Sequence, residues 1–123
     1  YLLNGELDKA AHPILRELGA DYAKPDLLVH TPGFMHGNHA IIEVKAITAS
    51  KAGVAKDLAT LALFRTKVGY ERAIYLLFGF DPVACVDRVR GVAAAMGGLP
   101  PIELWVHSDV GMPAALAHIL PEQ

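Results

Sequence analysis

Asp26–Thr31 reads DLLVHT and Ala40–Ala46 reads AIIEVKA, two runs rich in Leu and β-branched residues, separated by Pro32, Gly33, Gly37 and Asn38. Runs of this composition bounded by turn residues predict two strands of a hairpin with a long loop. Successive side chains leave a strand on opposite faces, so Glu43 and Lys45 share one face while Val44 is expected to point the other way, into the core. With the loop taken from Thr31 to Asn38, antiparallel pairing sets His30 against His39, Leu28 against Ile41 and Asp26 against Glu43. Directly paired Cβ atoms stand ~5 Å apart, and two carboxylates at that distance repel each other unless a positive charge lies between them. Hard oxygen donors of this kind suit Mg²⁺. Lys45 would direct its ammonium to the same spot. A divalent cation, a water it acidifies and a fixed positive charge are the elements of phosphodiester hydrolysis.

Working outward, Leu7, Ala10, Ala11, Ile14, Leu15 and Leu18 recur at helical spacing before Gly19, with Pro13 inside the pattern either as a kink or as a fresh first residue. Val54, Leu58, Leu61, Phe64 and Val68 form the stripe of an amphipathic helix that ends at Gly69. Arg72–Phe80, RAIYLLFGF, reads as a strand buried on both faces at the centre of a sheet, reached by that crossover helix. Asp81 is placed to cap, and Pro82 to open, a helix with Val86, Val89, Ala93 and Met96 inward and Gly97 and Gly98 as its stop. Ile102–His107, IELWVH, alternates as a further strand, and Met112–Leu120 is expected to close the chain as a short helix after Pro113. The order α, β, β, α, β, α, β predicts an α/β fold of three layers: a mixed central sheet of about four strands flanked by helices.

Composition sets the outer limits. The 123 residues suit a single domain, 1–123, and 53% hydrophobic against 20% charged residues is enough to bury a core. No apolar stretch approaches the ~20 residues of a membrane-spanning helix. The single cysteine, Cys85, excludes an internal disulfide and a multi-cysteine zinc site, and points to a reducing, cytoplasmic setting. The chain opens at Tyr1 with no basic-then-apolar leader, so no signal peptide is expected in it. Eleven Lys and Arg against thirteen Asp and Glu leave a net charge of -2, so nucleic-acid binding would have to rest on a local basic patch.

At KPDLLVH, the loop, and AIIEVKA, the chain resembles the PD-(D/E)XK nuclease superfamily, whose restriction-endonuclease-like fold is shared by restriction enzymes, archaeal Holliday-junction resolvases and many repair nucleases. The likeness runs over about Leu7–Phe80, continuing through Lys56, Asp57 and Leu58 and into YERAIYLLFGF, and is nearest to small bacterial members. It implies a Mg²⁺- or Mn²⁺-dependent phosphodiesterase acting on DNA. Asp26, Glu43 and the main-chain carbonyl of Val44 would hold the metal, Lys45 would position or activate the attacking water, and Glu43 would help orient it. The family often adds an acidic residue from its first helix. Glu6 and Glu17 are the candidates here, about 16 Å apart along a helix, and Glu6 is preferred. The usual strand between that helix and the PD strand must be very short or missing, since only Leu18–Lys24 is available for it. The Gln-x-x-x-Tyr pattern of some exonuclease branches is also missing: Asp57 and Leu61 stand at comparable places.

Lys51, Lys56, Arg65 and Lys67 could form a phosphate-contacting edge along the second helix, with Lys51 and Lys56 nearest the carboxylates. Asp57 could cap or join the site through a water but reads first as a surface carboxylate, Trp105 reads as a half-buried sheet aromatic rather than a base-stacking platform, and Cys85 as a small core residue. His30, His36 and His39 would form a zinc site only in a third reading, because no cysteine accompanies them and strand pairing puts His30 and His39 ~13 Å from the carboxylates. The alternative to a nuclease is a catalytically inactive domain of the same fold that binds protein or nucleic acid. The apolar excess leaves room for a homodimer, whose paired sites would suit double-strand cleavage.

Overall fold

The computed structural model describes residues 2–4, 27–30 and 38–121. Six strands run in the order β1 (Leu2–Asn4), β2 (Leu27–His30), β3 (Asn38–Ala46), β4 (Arg72–Phe78), β5 (Ile102–His107) and β6 (Ala115–Leu120), each beside the next in sequence. The sheet is mixed: β1, β2 and β3 are antiparallel, β3, β4 and β5 are parallel, and β6 returns antiparallel. Two helices, α1 (Lys51–Leu63) and α2 (Val83–Met96), make the two parallel crossovers. Both pack on one face of the sheet and against each other, as crossovers of one hand between neighbouring strands require. The predicted helix over 7–18, and any layer it adds, lies outside the described residues.

That shared helical face is the core. Ala73, Tyr75 and Leu77 of β4, Ile41 of β3, Ile102 and Leu104 of β5 and Leu120 of β6 meet Val54, Leu58 and Leu61 of α1 and Cys85, Val89 and Ala93 of α2. The predicted stripe of α1 is therefore the buried one, and Cys85 is a core residue. Ser50 caps α1 by accepting from the Gly53 amide at 3.1 Å. Beyond Leu63 the helix widens into a π turn, Phe64–Val68, closed by the Gly69 amide donating to the Phe64 carbonyl at 3.0 Å. Gly69 takes φ 90°, a conformation that glycine adopts without the Cβ clash.

Several expectations need correction. The sheet has six strands, because β1 and β6 extend the predicted four at either edge. Ala115–Leu120 is a strand and not the end of a short helix: pairing along β5 satisfies its backbone and buries Leu120, which outweighs the helical reading of a short apolar run. β4 is buried on one face only; Ile74 and Leu76 on the other are half-buried. Pro82, not Asp81, occupies the N-cap of α2, with the Val86 amide donating to its carbonyl at 2.9 Å. Asp81 sits at φ 57°, away from the extended backbone that a capping side chain needs. Met96, expected inward, is exposed, while Val86 is half-buried. His30 pairs with Asn38 rather than His39, because the β2–β3 ladder shifts register between Val29 and His30.

Candidate active site

The predicted pairing of Leu28 with Ile41 is present, and Leu27 follows opposite Ile42. Asp26, Glu6 and Glu17, and with them the expected Asp26–Glu43 pair, lie outside the described residues. On the other side of β3, the parallel register sets Glu43 beside Tyr75 and Lys45 beside Leu77. Since Tyr75 and Leu77 belong to the helix-facing core, Glu43 and Lys45 point to that side too. Glu43 is only 6% exposed, and Val44 is half-buried on the opposite face. Among the described residues the core lies on the Glu43 side, which both described helices cover, and not on the side of Val44 as expected; any layer over the Val44 face falls outside the described residues.

Helix α1 supplies the carboxylate that meets Lys45. Asp57 lies three residues beyond Val54 and one before Leu58, on the apolar stripe, and is 7% exposed instead of at the surface. The Tyr75 hydroxyl donates to Asp57 Oδ2 at 2.7 Å, and Lys45 Nζ stands 3.4 Å from the same oxygen. Burial, reinforced by the hydrogen bond to Asp57 and by the charges of Asp57 and Glu43, pushes the Tyr75 phenol far up, so it remains a donor at any ordinary pH. The result is a compact group of two carboxylates, one amine and one hydroxyl between sheet and helix.

The surroundings hold that group in register. Arg88 of α2 donates to the Ala49 carbonyl at 3.1 Å, and the Ile47 amide donates to the Phe78 carbonyl at 3.0 Å, tying down the loop between β3 and α1. The first turn of α1 therefore comes close to Lys45: a Cβ at Gly53 would lie 4.0 Å from Lys45 Cε. At the end of β4, Gly79 has φ 140°, and a Cβ there would fall 2.6 Å from Ile47 Cγ1, so only glycine fits. Lys51 and Lys56 are exposed on α1. Arg65 is not a free member of the predicted basic edge, since it donates to the Tyr70 carbonyl at 3.0 Å.

Elsewhere, His39 Nδ1 is 3.5 Å from Glu71 Oε2, while His36 lies outside the described residues. Among the described residues no three His, Cys, Asp or Glu gather as a metal centre. Trp105 is half-buried and donates to Glu103 Oε1 at 3.1 Å. Tyr75 is the member of the cluster that sequence reasoning missed, and Asp57, read first as a surface carboxylate, joins the site through Lys45 rather than through a water. The signal was a charged residue on the apolar stripe of a helix and a hydroxyl in an otherwise apolar strand. Comparison with protein-family models, curated proteins and solved structures finds no match for the chain. No described helix is long and apolar enough to cross a membrane.

Proposed function

We propose that the chain is a metal-dependent nuclease of the PD-(D/E)XK type, with the three-layer restriction-endonuclease-like fold, that hydrolyses phosphodiester bonds in DNA. The observation that carries the reading is the pair Glu43 and Lys45 on one face of β3, with β2 paired alongside through Leu28 and Ile41. A buried glutamate two residues from a lysine, inside a core strand, is hard to account for by packing alone. Glu43, the Val44 carbonyl, Asp26 and Glu6 are the residues that would hold Mg²⁺ or Mn²⁺, and all offer the hard oxygens these ions prefer. When bound there, such an ion would supply Lewis-acid polarisation of the phosphoryl group and an acidified water. Lys45 supplies a fixed cation beside the charge that develops on the phosphate oxygens, and Glu43 orients the water. Lys51 and Lys56, exposed on the helix that follows, contact the flanking phosphates.

The test is incubation of the full chain with labelled single-stranded, double-stranded and branched DNA plus Mg²⁺ or Mn²⁺, beside Lys45→Ala. Cleavage by the wild type and its loss in the variant supports the assignment; equal cleavage by both refutes it. One observation favours a second reading: Lys45 is closed onto Asp57 in an ion pair, as it would be in a catalytically inactive domain that keeps the fold for binding. Isothermal titration of Mn²⁺ separates the two. The nuclease binds the ion and loses it in Asp26→Asn, whereas the inactive domain shows no difference.

A further inference from the structure

We propose that Asp57 and Tyr75 are positioning residues for Lys45: together they fix its ammonium over the helix-facing side of β3, beside Glu43. The inference rests on the nuclease reading of this site. An unrestrained lysine carries four rotatable bonds and a strongly hydrated head, so it seldom serves as a fixed charge without a partner. Here the partner is buried, and a second bond, independent of the lysine, holds its orientation. Asp57 is on the inward stripe of α1, and the Tyr75 hydroxyl, itself inside the core on β4, donates to Oδ2 at 2.7 Å. That bond orients the carboxylate so that the same oxygen also faces Lys45 Nζ at 3.4 Å. A 39% exposed lysine side chain is thus tied to a 9% exposed aspartate side chain, which keeps the amine at the rim of the core, part of it open to solvent.

Asp57 is not needed as a metal ligand in this arrangement. Its Oδ2 already faces a hydroxyl and an ammonium, and a cation there would have to displace the lysine charge. Its effect on the reaction would pass through Lys45. Preorganising a reacting group in this way typically supplies one to two orders of magnitude, the range lost when an outer-shell partner is removed.

The experiment compares wild type, Asp57→Asn, Tyr75→Phe and Lys45→Ala on DNA with Mn²⁺, well below the melting temperature of each. Asp57→Asn keeps the shape and an acceptor for Tyr75 but removes the charge. Expected are a kcat lower by ~10–100-fold, a KM for DNA within about twofold, and an unchanged Mn²⁺ affinity by titration. Tyr75→Phe lowers kcat less, by about three- to tenfold, and Asp57→Asn costs nothing further in the Lys45→Ala background. The ¹⁵N signal of Lys45 Nζ, slowed in exchange by Asp57, broadens or shifts to the free-lysine position in Asp57→Asn. Wild-type cleavage with undiminished kcat in both Asp57→Asn and Tyr75→Phe overturns this inference and leaves the nuclease reading intact. So does a Mn²⁺ affinity that falls tenfold in Asp57→Asn, which would make Asp57 a ligand. A wild type that neither cleaves DNA nor binds Mn²⁺ ends the nuclease reading and this inference with it. Should Asp57→Asn fail to fold, Tyr75→Phe keeps the ring packing and carries the test.

Discussion

Two charged groups occupy opposite faces of the same parallel strands. On the helix-facing side, Asp57 links the Tyr75 hydroxyl to Lys45, with Glu43 beside Tyr75 in the sheet and both Asp57 and Glu43 buried. On the other side, Arg72 grips Glu103 with two bonds of 2.7 Å, Nε to Oε2 and Nη2 to Oε1, and Trp105 adds a third to Oε1. The second group is a surface ion pair, bidentate and saturated, with Arg72 half in solvent. It ties β4 to β5 and leaves its charges little to do beyond that. The first group places ionisable groups where desolvation is costly, at a strand position a leucine or valine could fill with better stability. Proteins keep such an arrangement when the charges serve a purpose other than packing, and the contrast singles out the Lys45 side as the candidate site.

The largest expected difference between the two regions is in activity. Lys45→Ala should lower DNA cleavage by ~100-fold or more, the scale of losing one preorganised charge at a phosphoryl centre, while Arg72→Ala should leave cleavage unchanged. Equal losses in a cleavage assay would erase the distinction. Next comes stability. Asp57→Ala deprives the buried Tyr75 hydroxyl of its acceptor and should cost about 1–3 kcal/mol in urea unfolding, whereas Asp57→Ala combined with Tyr75→Phe recovers part of that loss.

Arg72→Ala, by contrast, should cost under ~1 kcal/mol, as exposed pairs do. Its pH signature is specific. Hydrogen bonds from Arg72, above all, hold the Glu103 carboxyl below its usual value. A lowered folded-state value means that the pair stabilises the protein above the ordinary glutamate pKa of ~4.3, and that this support is lost as pH falls through the lower folded value. The stability gap between wild type and Arg72→Ala should therefore be constant near neutrality and close in acid; a gap that widens in acid would be the wrong sign. The smallest effect sharpens the geometry near Lys45. Gly53→Ala meets only ordinary contacts, 3.4 Å from Ser50 Oγ and 4.0 Å from Lys45 Cε, and should raise stability by ~0.5–1 kcal/mol through helix propensity. A destabilised variant in thermal unfolding would mean that the first turn of α1 packs closer to Lys45 than these distances imply.

Much of this frame could be read from residue order alone. The hairpin strands, the apolar stripe of α1 and its end at Gly69, the central strand β4, the helix stop at Gly97 and the strand Ile102–His107 all follow from local period and turn chemistry, because each repeats within a few residues. The shared face of Glu43 and Lys45 follows from strand alternation as well. The π turn, the strand Ala115–Leu120 and the shift at His30 do not, since each depends on what packs or pairs from elsewhere in the chain.

What residue order determined by itself was therefore a set of periodic elements and a pair of charges on one face of a strand, since backbone geometry makes alternation local. Which face became the core, and that a carboxylate of α1 and a hydroxyl of β4 close around Lys45, was decided only in three dimensions. Both crossovers put their helices on the same side, bringing residues 45, 57 and 75 together, and no local period relates positions so far apart in the chain.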